Sequence, residues 1–277
     1  MPDFSRILHQ QAVELSPTRF SAGVEAFRIV YQSSGLRVIG FIVKPRKIAG
    51  KVPLLIYNRG GAENRGLIGT VQLSNLLSFW ASRGYVVLAS QYRGNDGGEG
   101  EDTWGGDDVQ DVINLVHVGE ELPYVDVSRT LMLGASRGGL MTYLAIRHGL
   151  NLKAAAVMCG VSNLFDMYRY RGAPMKEILI WLVGDPSSHI DAYVRRSPVF
   201  WVEDIKVPLL IVHGAKDVNV PVEQTRILVK KLDELGKDYQ YIEYPEAEHD
   251  LRRHYSDFFP KIDEFFTERL NGGVRRG

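Results

Sequence analysis

Residues 131–140 read Leu-Met-Leu-Gly-Ala-Ser-Arg-Gly-Gly-Leu. An apolar run passes through Gly-x-Ser-x-Gly and enters a helical pattern with no loop between. This is the layout of a sharp strand-to-helix turn that lifts a serine hydroxyl above the end of a sheet. The small residues have a steric reason. Such a serine sits at strained dihedrals, and side chains at Gly134 and Gly138 would meet the neighbouring strand and helix. Alone, the pattern is weak, so its meaning depends on the surrounding chain.

That chain alternates buried strands with helices. Val24–Tyr31 and Leu36–Val43, joined by Ser33-Ser34-Gly35, read as an antiparallel hairpin at a sheet edge. Val52–Tyr57, Tyr85–Ala89, Ala154–Met158, Val207–Val212 and Tyr239–Tyr244 are short apolar or aromatic runs suited to a parallel sheet. Helical spacing fills Leu67–Arg83, Asp107–Val118, Arg137–His148, Glu223–Leu235 and His254–Leu270. The reading is therefore α/β, a mostly parallel sheet of about eight strands with helices on both faces. Residues 1–23 form an N-terminal extension, with a short helix expected near Ile7–Leu15. Residues 161–205 break the rhythm and read as a small irregular helical insertion. The whole, residues 1–277, is expected to be a single domain.

Composition excludes several classes. Lys plus Arg and Asp plus Glu are 33 each, so no global field draws in nucleic acid or an anionic membrane. One cysteine, Cys159, leaves no intrachain disulfide and no cysteine zinc cluster. No metal-ligand spacing or phosphate loop is present, so neither metal nor cofactor is expected. The start lacks a basic-then-apolar signal pattern, and no apolar run approaches the ~18 residues of a membrane helix. These features set a cytoplasmic expectation.

A serine hydroxyl near neutral pH needs a histidine to take its proton and a carboxylate to orient that histidine. Asp217 follows the strand after the insertion, and His249 follows the next strand. Both loops reach the same strand ends as Ser136, in the order Ser, Asp, His. Asp250 is a rival orienter but adjoins the histidine and would struggle to reach its ring. His254 is a rival base but opens the last helix. His213 ends a strand and is expected to pack rather than react. The backbone N–H of Arg137 is one oxyanion donor, and a second is expected near Gly60 in the loop after an earlier strand. Phe165, Tyr168, Tyr170 and Trp181 of the insertion either line a substrate pocket or build their own small core. Arg169, Arg171, Arg195 and Arg196 either hold a substrate carboxylate or form a solvated face.

Several separate motifs keep their order from about residue 36 to the last helix. They are Tyr92-Arg93-Gly94, Trp104-Gly105 with Asp107, Asp108 and Asp111, Gly134-Ala135-Ser136-Arg137-Gly138-Gly139, Pro208–Gly214 leading to Asp217 and Val220-Pro221, and His249. In these the chain resembles the catalytic domain of the prolyl oligopeptidase (S9) family within the α/β-hydrolases. The resemblance implies a Ser136, Asp217, His249 triad that cleaves amide or ester bonds through an acyl-enzyme, without cofactor. Arg59, Tyr92, Phe165 and Trp181 are the expected substrate contacts.

Two departures keep a second activity open. Family peptidases usually carry a large amino-terminal β-propeller, for which this chain has no room. Several members place a tyrosine side chain in the oxyanion loop, where Arg59 stands here. A serine peptidase acting on small peptides is the first reading and a carboxylesterase acting on small esters the second. A non-catalytic binding protein on the same scaffold is a minor third. Self-association into a homo-oligomer is a way for a propeller-less domain to shield its site.

Overall fold

The computed structural model describes residues 5–272. Its strands are β1 (Ile7–Val13), β2 (Val24–Ser33), β3 (Leu36–Pro45), β4 (Val52–Asn58), β5 (Val86–Ser90), β6 (Val125–Ala135), β7 (Ala154–Met158), β8 (Leu209–Gly214) and β9 (Tyr239–Tyr244). They form one nine-stranded sheet in the order β1-β2-β3-β5-β4-β6-β7-β8-β9. The first three pairings, β1 with β2, β2 with β3 and β3 with β5, are antiparallel. The pairs β4–β5, β7–β8 and β8–β9 are parallel.

The sheet has nine strands rather than about eight because the N-terminal extension supplies one. The expected helix near Ile7–Leu15 is instead β1, whose residues 8–12 are all exposed. An edge strand lying on solvent has no buried face to impose a period of two, so its sequence carries no strand signal. With β1 outside it, the β2–β3 hairpin is one strand in from the edge. Its turn holds Ser34 at φ 50° and Gly35 at φ 85°, the paired positive φ of a type I′ hairpin.

Contacts divide the chain into two compact units, residues 1–102 with 107–131 and residues 103–106 with 132–277. In the first unit the helical pattern after β4 is interrupted. It runs as α1 (Thr70–Gln72), a π turn at Leu73–Leu77, and α2 (Ser78–Ser82). The next helix, α3 (Val109–Glu120), lays Val109, Val112, Leu115 and Val118 into the core. The motif residues Arg93 and Asp111 meet here as a buried pair, Nη2 to Oδ1 at 2.9 Å. Asp111 also accepts the Arg93 backbone N–H at 2.8 Å and the Ser33 hydroxyl at 2.6 Å. Burial pushes the Asp111 carboxyl up, and the bonds from Arg93 and Ser33 work against that rise. Breaking a pair like this from one side strands a buried charge, typically at several kcal/mol.

The second unit holds α4 (Arg137–Arg147), then the insertion with α5 (Leu164–Tyr170), α6 (Ala173–Leu182) and α7 (Ile190–Arg195), then α8 (Val222–Glu234) and α9 (Tyr255–Leu270). Strands β7 and β8 are buried at every residue, as a strand covered on both faces requires. Asn163 caps α5 by accepting the Phe165 and Asp166 N–H groups. Gln224 on α8 anchors the start of the insertion, its Oε1 accepting the N–H groups of Ser162 at 3.2 Å and Asn163 at 3.0 Å. No helix of the described residues is long and apolar enough to cross a membrane.

Candidate active site

Ser136 stands between β6 and α4 at φ 56° and ψ −122°. A non-glycine residue there is strained, at a cost of about 1–3 kcal/mol, and persists only where neighbours over-determine it. They do so here. The Ser136 N–H donates to Met158 O at 2.9 Å, and its carbonyl accepts from Gly139 N at 2.9 Å and Val161 N at 3.3 Å. The turn is close enough to need glycine. A Cβ at Gly134 would sit 2.1 Å from Gly138 O, and one at Gly139 would sit 2.6 Å from Gly160 Cα. The Arg137 guanidinium lies over the Trp104 ring at 5.9 Å, so two of the sequence motifs touch. The Arg137 N–H stands at the first position of α4.

Asp217 lies three residues past β8. Its Oδ1 accepts the backbone N–H groups of Asn219 and Val220, each at 2.8 Å. Its Oδ2 lies 2.7 Å from His249 Nδ1 and 3.1 Å from His213 Nε2. Burial opposes ionisation of Asp217. The hydrogen bonds from His213, His249 and the Val220 amide outweigh it and hold the carboxyl well below the usual carboxylate range. His249 is half-buried, its side chain 23% exposed.

A glycine lets the two loops meet. A Cβ at Gly214 would lie 2.4 Å from Ala247 O, the residue two before His249. The contact is then stitched by Ala215 N to Tyr244 O and Lys216 N to Ala247 O, both at 2.9 Å. The rivals are occupied elsewhere. Asp250 pairs with Arg252 at 2.9 Å, and His254 stacks on Tyr244 at 4.2 Å.

In the first unit, Arg59 and Gly60 follow β4. The Arg59 guanidinium is buried and donates to the carbonyls of Gln91 (2.7 Å), Glu63 (2.9 Å), Gly60 (3.0 Å) and Arg65 (3.2 Å). It also lies over the Tyr92 ring, whose hydroxyl donates to Arg59 O at 2.9 Å. Both side chains hold the shape of the loop that carries Gly60. In the second unit, Phe165 is half-buried against Tyr193 at 5.1 Å and Phe200 at 6.0 Å. Trp181 on α6 is 78% exposed. The four arginines divide. Arg196 is buried and donates to Trp104 O, Thr103 O and Ala192 O, and Arg171 grips Val218 O and Asn219 Oδ1 beside Asp217. Arg169 and Arg195 are exposed.

Cys159, His213 and Asp217 offer ligand atoms within 4.8 Å of one another. They do not make a free ligand set. Burial and the Asp217 charge push the Cys159 thiol up. Both His213 nitrogens and Asp217 are engaged in hydrogen bonds. The role of His213 was not legible in the sequence, because its partner Thr225 stands twelve residues away on α8.

A mostly parallel sheet, a strained serine on a strand-to-helix turn, and a buried Asp bonded to a half-buried His on later strand ends define an α/β-hydrolase. The model of the prolyl oligopeptidase family matches residues 71–273, and that of the acetyl xylan esterase family matches residues 7–110. An uncharacterized peptidase of Bacillus subtilis (strain 168), YtmA, is 34% identical over 218 residues, 78% of this chain and 83% of that one. An acylamino-acid-releasing enzyme of Arabidopsis thaliana is 28% identical over 222 residues, 74% of this chain and 28% of that one. Among solved structures, the acylaminoacyl peptidase of Pyrococcus horikoshii superposes with a TM-score of 0.79 at 24% identity, over 92% of this chain and 43% of that one. A Mycobacterium tuberculosis puromycin-hydrolyzing peptidase gives 0.76 at 21%, over 100% and 41%. These two structures share the fold. The chain thus spans most of YtmA but less than half of the other three. It belongs to the prolyl oligopeptidase family and is a peptidase-like serine hydrolase.

Proposed function

We propose that Ser136, Asp217 and His249 form a catalytic triad that hydrolyses amide bonds in small peptides. The observation that carries this reading is the 2.7 Å bond between His249 Nδ1 and an ionised, buried Asp217, in the same unit as a serine held at positive φ. With its Nδ1–H given to Asp217, the His249 ring presents a basic Nε2. His249 removes the Ser136 proton as Oγ attacks the carbonyl, and Asp217 stabilises the imidazolium. The Arg137 N–H holds the developing oxyanion. His249 then protonates the departing amine, and water releases the acyl group by the same route in reverse. Phe165 and Trp181 are the proposed side-chain contacts of the substrate.

The names of the relatives, one releasing acylamino acids and one hydrolysing puromycin, favour small amide substrates. A second reading, hydrolysis of small esters, is favoured by the acetyl xylan esterase match. A fluorophosphonate probe tests the triad. One adduct is expected on wild type and none on Ser136→Ala, and an equal adduct on both sinks the assignment. Rates on matched p-nitrophenyl esters and aminoacyl anilides then separate the readings, since fast ester turnover beside negligible anilide turnover rejects the peptidase. A cytoplasmic site of action and self-association complete the proposal. Cell fractionation and sedimentation test them, and a membrane-bound pool or a strict monomer would remove each in turn.

A further inference from the structure

His213 enters none of the steps above, yet it is completely buried beside them. It ends β8 with both ring nitrogens engaged. Nε2 lies 2.9 Å from Val220 O and 3.1 Å from Asp217 Oδ2. A carbonyl and a carboxylate only accept, so Nε2 carries the hydrogen. Nδ1 lies 2.8 Å from Thr225 Oγ1. In the neutral ring Nδ1 is an acceptor, and the Thr225 hydroxyl donates to it. Val220 closes the arrangement, because its N–H donates to Asp217 Oδ1 while its carbonyl accepts from His213.

We infer that His213 is a positioning residue for the Asp217–His249 pair, with Thr225 setting its tautomer. Asp217 then accepts three hydrogen bonds, from two amides on Oδ1 and the His249 imidazole on Oδ2, and the His213 Nε2 lies 3.1 Å from the same Oδ2. A carboxylate held on all sides cannot turn about its own bond without breaking at least one contact. Oδ2 therefore stays where His249 needs it, and its charge is shared between two rings rather than given wholly to one. The inference rests on the triad reading. It concerns what holds the orienting carboxylate, and His213 touches no reacting atom.

The groups facing His213 come from several elements. Asp217 and His249 are on the loops after β8 and β9, and Cys159 follows β7. Glu243 lies opposite His213 on β9 and is itself held by Arg226 and Tyr241. None of these is altered by the substitutions below, so a shift in the pH profile reports the His213 contact.

Three variants test the role. His213→Phe keeps a ring and removes both nitrogens. His213→Gln restores an N–H donor near the Nε2 position. Thr225→Val removes the hydroxyl and leaves the imidazole. In His213→Phe, kcat is expected to fall about 10- to 100-fold with KM changed less than about twofold. The acid limb of kcat/KM should rise by about half to one pH unit, because a less shared Asp217 charge holds a proton on His249 more tightly. His213→Gln should return the limb most of the way, and Thr225→Val should move it in the same direction by less. A folded His213→Phe with wild-type kcat and acid limb overturns the inference, as does a His213→Gln no better than Phe. Where circular dichroism shows His213→Phe unfolded, Thr225→Val decides, a shifted limb supporting and an unshifted one rejecting. Ser136→Ala runs alongside. Retained activity there rejects the triad itself, whereas lost activity with unmoved His213 and Thr225 profiles rejects only the positioning role.

Discussion

Around Asp217 every side-chain oxygen is bonded, and the loops on either side are joined by main-chain contacts that only a glycine at position 214 allows. On α6, forty residues earlier, Leu179 alone is buried, while Ile180 is 43% and Trp181 78% exposed. The two regions share a structural unit but answer different demands. A carboxylate that must orient an imidazole within a few tenths of an ångström has to be over-determined. The α6 face, the proposed substrate contact, has no such need, and its apolar side chains stand in solvent.

Four predictions break or sharpen this contrast, and they run from the largest effect to the smallest. Asp217→Asn should cut kcat by about 10⁴-fold, since the amide offers His249 a donor where it needs an acceptor. A loss below about tenfold in steady-state assays would mean that Asp217 does not orient the base. Leu179→Ala should cost about 2–5 kcal/mol in chemical denaturation, and a neutral result would show that α6 has no anchor at all. Gly214→Ala should cost about 1–3 kcal/mol, because its methyl would meet Ala247 O. Turnover should fall with it as the Asp217 and His249 loops part, and unchanged kcat in a destabilised protein would uncouple loop contact from chemistry. Trp181→Ala should leave stability within about 0.5 kcal/mol while raising KM for large substrates. A large fall in melting temperature with KM unmoved would recast Trp181 as packing.

Acid stability follows from the same carboxyl. The folded chain holds Asp217 below the ordinary carboxylate range, so the unfolded chain takes up the proton first as pH falls. The stabilisation is whole above the unfolded value of about 4 and is lost as pH drops through the folded one. Melting temperatures measured from pH 6 to 2 should show a decline below about pH 4 that is shallower in Asp217→Asn. Parallel curves would assign the acid sensitivity to other groups.

The sequence was most legible where burial is continuous. Strands β4, β5, β7 and β8 are apolar runs because both faces are covered, and Gly134 and Ser136 are punctuation that a strained turn cannot do without. It was least legible at β1, where His9, Gln10 and Gln11 face solvent and the strand exists because β2 offers it an edge. The break in helix 70–82 was likewise unannounced, since the apolar spacing of Leu73, Leu77 and Trp80 survives a π turn.

What the residues determined alone was the order of the candidate groups, because a serine between glycines, an aspartate and a histidine each follow a strand. Tertiary structure decided which partners those residues keep. Arg59 binds carbonyls of its own loop and of Gln91 after β5, Arg196 those around Trp104, and His213 the far side of Asp217. Side chains of one type are alike in sequence. Burial separates them, because a donor removed from water must find an acceptor, and only the packed chain fixes which acceptor is near.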